Sequence, residues 1–335
     1  MSPLEVEVVR GSVVESVHRV SVAVVHADGR VLAAGHPELT TFWRSAAKPF
    51  QALPLVADGA AERFGLDDRE LALACASHSS EPVHLELVDG FLAKIGCTER
   101  DLACGPHPPL SAAVAAAVAR GGVALTPRWS NCSGKHAGML ALARHHGWPL
   151  AGYERAGHPV QERILDEIVR WTGVPRQDIG LGVDGCAAVC FALPLTAMAR
   201  AYARLAGSAE PGARRIRGAM AAHPELVAGS GRPCTALAAA LPGRLIAKVG
   251  AEGVYGAAFL GAGIGVALKV EDGSGRAAGP ALVHVLQQVA DRMIPDLAGA
   301  GVAGVVSEHA EPPIRNTRGA VTGWLRARGT LRFYD

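Results

Sequence analysis

Strand-forming sequence at both ends of a long helical middle is what most limits the folds open to this chain. Leu4 to Ala34 alternates apolar and polar residues, is rich in valine and breaks at Ala27-Asp28-Gly29-Arg30, the pattern of antiparallel strands joined by a tight turn. Strand-like runs return at Arg244–Gly250, Gly253–Leu260 and Gly263–Val270. From about Ser45 to about Ala240 the spacing is mostly helical, as at Val160–Trp171 and Leu195–Leu205, with glycine- and proline-rich loops between. Ala281–Leu297 then has the apolar spacing of an amphipathic helix. The economical solution is an α+β fold. Its largely antiparallel sheet comes from both chain ends (about 4–35 and 244–270) and is flanked by helices, with a helical insertion (about 45–240) beside it. No internal repeat or clear linker interrupts the 335 residues, which read as one domain.

A chain of this length can bury a substantial core without disulfides. Its net charge of +2 is made of scattered acids and bases, with no basic stripe of the kind that nucleic acid or an anionic membrane needs. A small-molecule partner is expected. Met1 to Val9 carries two glutamates and no apolar run behind a basic region, so no secretory signal is read and a cytoplasmic location is expected. The apolar stretch Ala112–Ala119 is far shorter than the roughly 20 residues of a membrane span. The seven cysteines are an odd number, which favours thiols or metal ligands over a disulfide framework. Of the 33 basic residues only five are lysines: Lys48, Lys94, Lys135, Lys248 and Lys269. Lysine, unlike arginine, can serve as a neutral amine once desolvated, so a lysine kept in so arginine-biased a chain invites a chemical role.

In Arg44-Ser45-Ala46-Ala47-Lys48-Pro49-Phe50, serine and lysine stand three residues apart, which on a helical turn puts both side chains on one face. The lysine can then take the serine proton, provided that burial or a neighbouring cation lowers its pKa by roughly 3 units. The motif follows the first strands and opens the helical region, as it does in serine β-lactamases and penicillin-binding proteins. Those enzymes add a second serine on the helical insertion and a second lysine on a late strand. Ser77, in Cys75-Ala76-Ser77-His78, and Lys248, in Lys248-Val249-Gly250-Ala251-Glu252-Gly253, occupy the corresponding places in order. Capping, turn chemistry or simple exposure would account for either one alone.

Ser130-Asn131-Cys132-Ser133-Gly134-Lys135-His136 packs a thiol, an amine and an imidazole into five positions at a loop-to-helix boundary. Gly182-Val183-Asp184-Gly185-Cys186 adds a carboxylate and a second thiol. Two cysteines with a nitrogen donor suit zinc, although the usual Cys-x-x-Cys spacing is missing and polar loop residues with buried cysteines would look the same. A lysine ligand must be neutral, so occupancy would fall as pH drops.

Together, Arg44-Ser45-x-x-Lys48-Pro-Phe, Cys75-Ala-Ser77-His, Asn131-Cys132-Ser-Gly-Lys135-His136, Asp184-Gly-Cys186 and Lys248-Val-Gly-Ala-Glu-Gly resemble the rhizobial-type (asparaginase II) L-asparaginases, from Arg10 to about Asp272. The resemblance implies a fold like that of serine β-lactamases and glutaminases, hydrolysis of asparagine to aspartate and ammonia, and a zinc ion. It further implies Ser45 with Lys48 and Ser77 with Lys248 as two Ser-Lys tandems, Cys132, Lys135 and Cys186 as metal ligands, and Cys234 near the metal without binding it. Asp184 and Arg44 are then expected on the substrate's ammonium and carboxylate, His136 among the substrate-binding residues, and a homodimer as the assembly. A glutaminase, a β-lactam hydrolase and a noncatalytic zinc-containing amino-acid-binding protein are the rival expectations. The last 60 or so residues show no motif.

Overall fold

The computed structural model describes residues 1–298 and 302–334. They fall into two compact units. One, the sheet unit, comprises Met1–Ala46, Leu193–Gly207 and Ala239–Asp335; the other, the helical unit, comprises Ala47–Ala192 and Ser208–Ala238.

The strand Val13–His26 organises the sheet unit. It pairs with Leu4–Arg10 and then Val31–Ala34 along one edge and with Ile264–Val270 along the other, and every one of these pairings is antiparallel. The sheet continues through Val254–Phe259 to Leu245–Val249. It is thus built from both chain ends, as expected from the valine-rich alternation. All six residues of Val254–Phe259 are buried, so this strand is covered on both faces. Its covers are the helices Leu195–Gly207 and Gly275–Met293.

Small residues set the depth of that packing. Gly256 pairs with Ala267 and Gly265 with Ala258, so the four lie on one sheet face. A Cβ built on Gly265 would meet the Ala199 carbonyl oxygen at 2.0 Å and the Ala203 nitrogen at 2.2 Å, both backbone atoms of the helix Leu195–Gly207. Backbone cannot swing aside as a side chain can. Gly265→Ala should therefore lower the unfolding free energy by about 1–3 kcal/mol, read as a lower denaturant midpoint. An unchanged midpoint would show that the helix does not depend on this approach.

Three features depart from the sequence expectations. The carboxyl-terminal stretch that carries no motif supplies the strands Pro313–Arg315, Val321–Arg328 and Arg332–Phe333, and Val321–Arg328 pairs with the first strand of the chain. Its arginines concealed it, because Arg326 and Arg328 alternate with the buried Leu325 and the half-buried Ala327. The long helix begins at Gly275 and ends at Met293, earlier than the expected 281–297. Gly279 and Pro280 look like a break, yet Ala277 through Val283 are buried, and that packing outweighs the hydrogen bond that proline forfeits. Within the helical middle, Gly180–Val183 and Val189–Pro194 form an antiparallel hairpin, hidden because the strands are short and the first is half glycine.

The helical unit is arranged around Ser133–His146. The first eleven residues of this helix, Ser133 to Ala143, are buried against the helices Lys48–Ala57, Asp68–Ala74, Pro82–Lys94 and Pro159–Thr172. Gly134 permits the closest approach, since a Cβ there would lie 2.4 Å from the Leu73 carbonyl oxygen. A helix buried all round presents whatever polar residues it carries to the interior. No described helix is long and apolar enough to cross a membrane.

Candidate active site

The start of the central helix brings Cys132, Lys135 and His136 inside the helical unit, where Lys48 joins them. Lys48 opens the helix Lys48–Ala57 and is 0 % exposed. Its Nζ donates to the Ala76 carbonyl, to Ser77 Oγ at 3.0 Å and to Cys132 Sγ at 3.2 Å. A buried amine without partners is costly, and here three acceptors surround it. The amine that the sequence places three residues after Ser45 thus lies against Ser77.

Ser77 is held from both sides. The helix Asp68–Ala74, started by a capping box between Asp67 and Glu70, ends at Cys75, and the chain runs on buried as far as Ser80. Ser77 N–H donates to the Val227 carbonyl and His78 N–H to the Asn131 carbonyl, so the segment is hydrogen-bonded like an extra strand. Gly229 lets it pass, since a Cβ there would lie 2.4 Å from Ser79 Oγ. His78 Nε2 lies 2.8 Å from Ser133 Oγ, and burial holds its pKa well below the ordinary histidine value.

The two thiols and the second amine also converge. Lys135 Nζ lies 3.0 Å from Cys186 Sγ, and Cys132 shares a hydrogen bond with Cys186. That bond, ahead of burial, pushes the Cys132 thiol up; seen from Cys186, it and the Lys135 charge pull the pKa down in spite of burial. Burial alone would favour neutral Lys135, but Cys186, Cys132 and Asp184 raise its pKa. Among the described residues no three or more His, Cys, Asp or Glu side chains are grouped to hold a metal. The two sulfurs therefore fit zinc only with Lys135, neutral, as the nitrogen donor. Asp184 begins the turn of the hairpin, its N–H bonded to the Ala188 carbonyl and its Oδ1 accepting from Gly185 N–H, with Ala187 at φ 73°.

In the sheet unit, Arg44 and Ser45 lie in the 3-10 turn Arg44–Ala47, and Arg44 has φ 52°, in the left-handed region that a non-glycine residue adopts only under constraint. Lys248 is 0 % exposed, lies directly across from Gly256 and donates from Nζ to the Val249 carbonyl. The Tyr202 ring fills the space over Gly256, 2.1 Å from where a Cβ would be, and its hydroxyl donates to the carbonyl of Ala46 at 2.7 Å. Cross-strand partners share a face, so Lys248, Tyr202 and the residue after Ser45 come together.

The L-asparaginase II family model matches residues 6–327, nearly the whole chain. The chain belongs to the L-asparaginase II family. Membership makes it an amidohydrolase of the L-asparaginase type. No curated protein matches it significantly. Among solved structures, one that matches is named as a candidate beta-lactamase from Bacteroides dorei DSM 17855; it is 16% identical over 74% of this chain and 84% of that one, with a TM-score of 0.38. Overlap of that size says nothing about substrate.

Two residues of this L-asparaginase II chain that sequence reasoning missed stand near the cluster. Cys104 is buried and feels the charges of Cys132, Cys186 and Lys135, while burial pushes its own thiol up to about 12. Tyr153 Oη lies 2.6 Å from His136 Nδ1. Neither stands in a motif, and no spacing signal marks them. Burial, then Lys135, holds the His136 pKa down to about 3, so its ring is neutral.

Proposed function

We propose that this enzyme hydrolyses L-asparagine to L-aspartate and ammonia through an acyl-serine intermediate. The support is the buried Lys48, whose amine joins Ser77 to the thiol end of the Cys132, Lys135 and Cys186 cluster inside a chain of the L-asparaginase II family. Ser45 Oγ attacks the side-chain amide carbon while its proton passes to neutral Lys48, three residues on. Backbone N–H groups near Ser45 stabilise the oxyanion. The C–N bond then breaks, the proton from Lys48 leaves with ammonia by way of Ser77, and water attacks the acyl-serine to release aspartate. Lys248 is the second amine, keeping Lys48 neutral by its own charge. Asp184 pairs with the substrate ammonium and Arg44 with its carboxylate.

Cys132, Lys135 and Cys186 would hold zinc, which when bound supplies positive charge that orders these loops and orients the substrate. Ammonia release from asparagine, glutamine and a dipeptide amide, each with and without chelator, tests the reading. Asparagine should be the preferred substrate, and chelation should raise KM more than it lowers kcat. Preference for glutamine would indicate a glutaminase, acylation by penicillin a β-lactam hydrolase, and calorimetric asparagine binding without ammonia at any pH a binding protein. Turnover abolished at unchanged KM would place the metal in the chemistry.

A further inference from the structure

The Tyr153 hydroxyl has two neighbours inside the helical unit. The Ala103 N–H donates to it at 2.9 Å, and His136 Nδ1 lies 2.6 Å away. His136 is 0 % exposed, and its Nε2 is buried with no hydrogen-bond partner among the described residues. Proton accounting decides the direction of the short bond. If Nδ1 carried the imidazole proton and donated it to Tyr153, the phenol proton would have no acceptor and Nε2 would be a buried lone pair without a donor. If the phenol donates to Nδ1, the phenol proton and Nδ1 are both satisfied and the ring proton sits on Nε2, leaving one unused donor. The second arrangement leaves fewer buried polar groups unpaired, and each such group costs about 1–3 kcal/mol.

We propose that Tyr153 is a positioning residue: with the Ala103 amide it fixes His136 as the Nε2–H tautomer, so that Nε2 is a hydrogen-bond donor kept for an oxygen of the amino-acid amide. The substrate half of this proposal rests on the reading of the chain as an asparaginase. The tautomer half stands on geometry alone. Tyr153→Phe removes one oxygen atom from a side chain that is otherwise 1 % exposed. Ala103 is exposed, so its freed N–H can turn to water and the cost in stability should be small.

The test uses the full chain labelled with 15N-histidine. Wild type should show His136 as Nε2–H only, and Tyr153→Phe should show a mixture of tautomers. KM for asparagine should rise about tenfold, the worth of one hydrogen bond to a charged or strongly polar group, with kcat within about threefold. In His136→Gln, whose side-chain nitrogen takes the Nε2 position and donates without help, adding Tyr153→Phe should leave KM unchanged. An Nδ1–H ring in wild type would overturn the proposal. So would an unaltered KM in the folded Tyr153→Phe protein, or a Tyr153→Phe effect as large in the His136→Gln background as in wild type. Wild-type protein that releases no ammonia would sink the asparaginase reading instead, and the tautomer spectra would still decide the part played by Tyr153.

Discussion

Ser45→Ala should lower ammonia release from asparagine by about 10^6-fold, the loss typical of removing a serine nucleophile whose partners act as a unit with it. The fold should be unaffected, because Ser45 is only partly buried and the substitution removes one oxygen. Mass spectrometry of the quenched wild-type reaction should find an aspartyl group on the peptide that contains Ser45. The experiment has force because Lys48 reaches Ser77 Oγ at 3.0 Å, which makes Ser77 a competing nucleophile. If Ser45→Ala keeps near-normal turnover and the aspartyl group sits on Ser77, the two serines exchange roles and the rest of the scheme survives.

Lys48→Met should cost about 10^3- to 10^4-fold in kcat, the upper range for loss of a general base, with KM little changed. Methionine keeps most of the volume of the stem, so no large cavity opens. What is lost are the bonds to Ala76, Ser77 and Cys132. Losing those bonds should lower stability by about 1–3 kcal/mol. A Lys48→Met protein that still turns over near the wild-type rate would mean that Lys48 holds Ser77 in place and that another group takes the serine proton.

Much of the fold was legible because period-two valine patterns announce strands directly: Leu4–Arg10 and Val13–His26 fall inside the segment from Leu4 to Ala34, and Leu245–Val249 through Ile264–Val270 lie where the late strands are read. Val321–Arg328, which lies between Leu4–Arg10 and Pro313–Arg315, was not legible, since arginines at alternate positions and small residues between them leave only a weak apolar period to detect. At the site, Lys48, Ser77, Cys132, Lys135 and Cys186 could be picked out because each sits in a short motif, and the helical unit brings these five into one cluster. Their pairing was not readable. Which hydroxyl an amine meets depends on how the buried segment Cys75–Ser80 threads between Val227 and Asn131, and that is a tertiary fact. Tyr153 and Cys104 were invisible for the same reason, as each acts across the interior on a residue far from it in sequence.

Gly256 carries a consequence of another kind. Tyr202 can reach the Ala46 carbonyl only because nothing stands between its ring and the strand backbone. The reach of a tyrosine is fixed, so the depth to which its ring sinks gauges how far the chain next to Ser45 stands from the sheet. A missing methyl group more than two hundred residues downstream thus serves as a spacer for the chain at Ser45, and swelling that spot should shift Ser45 before it unfolds the protein.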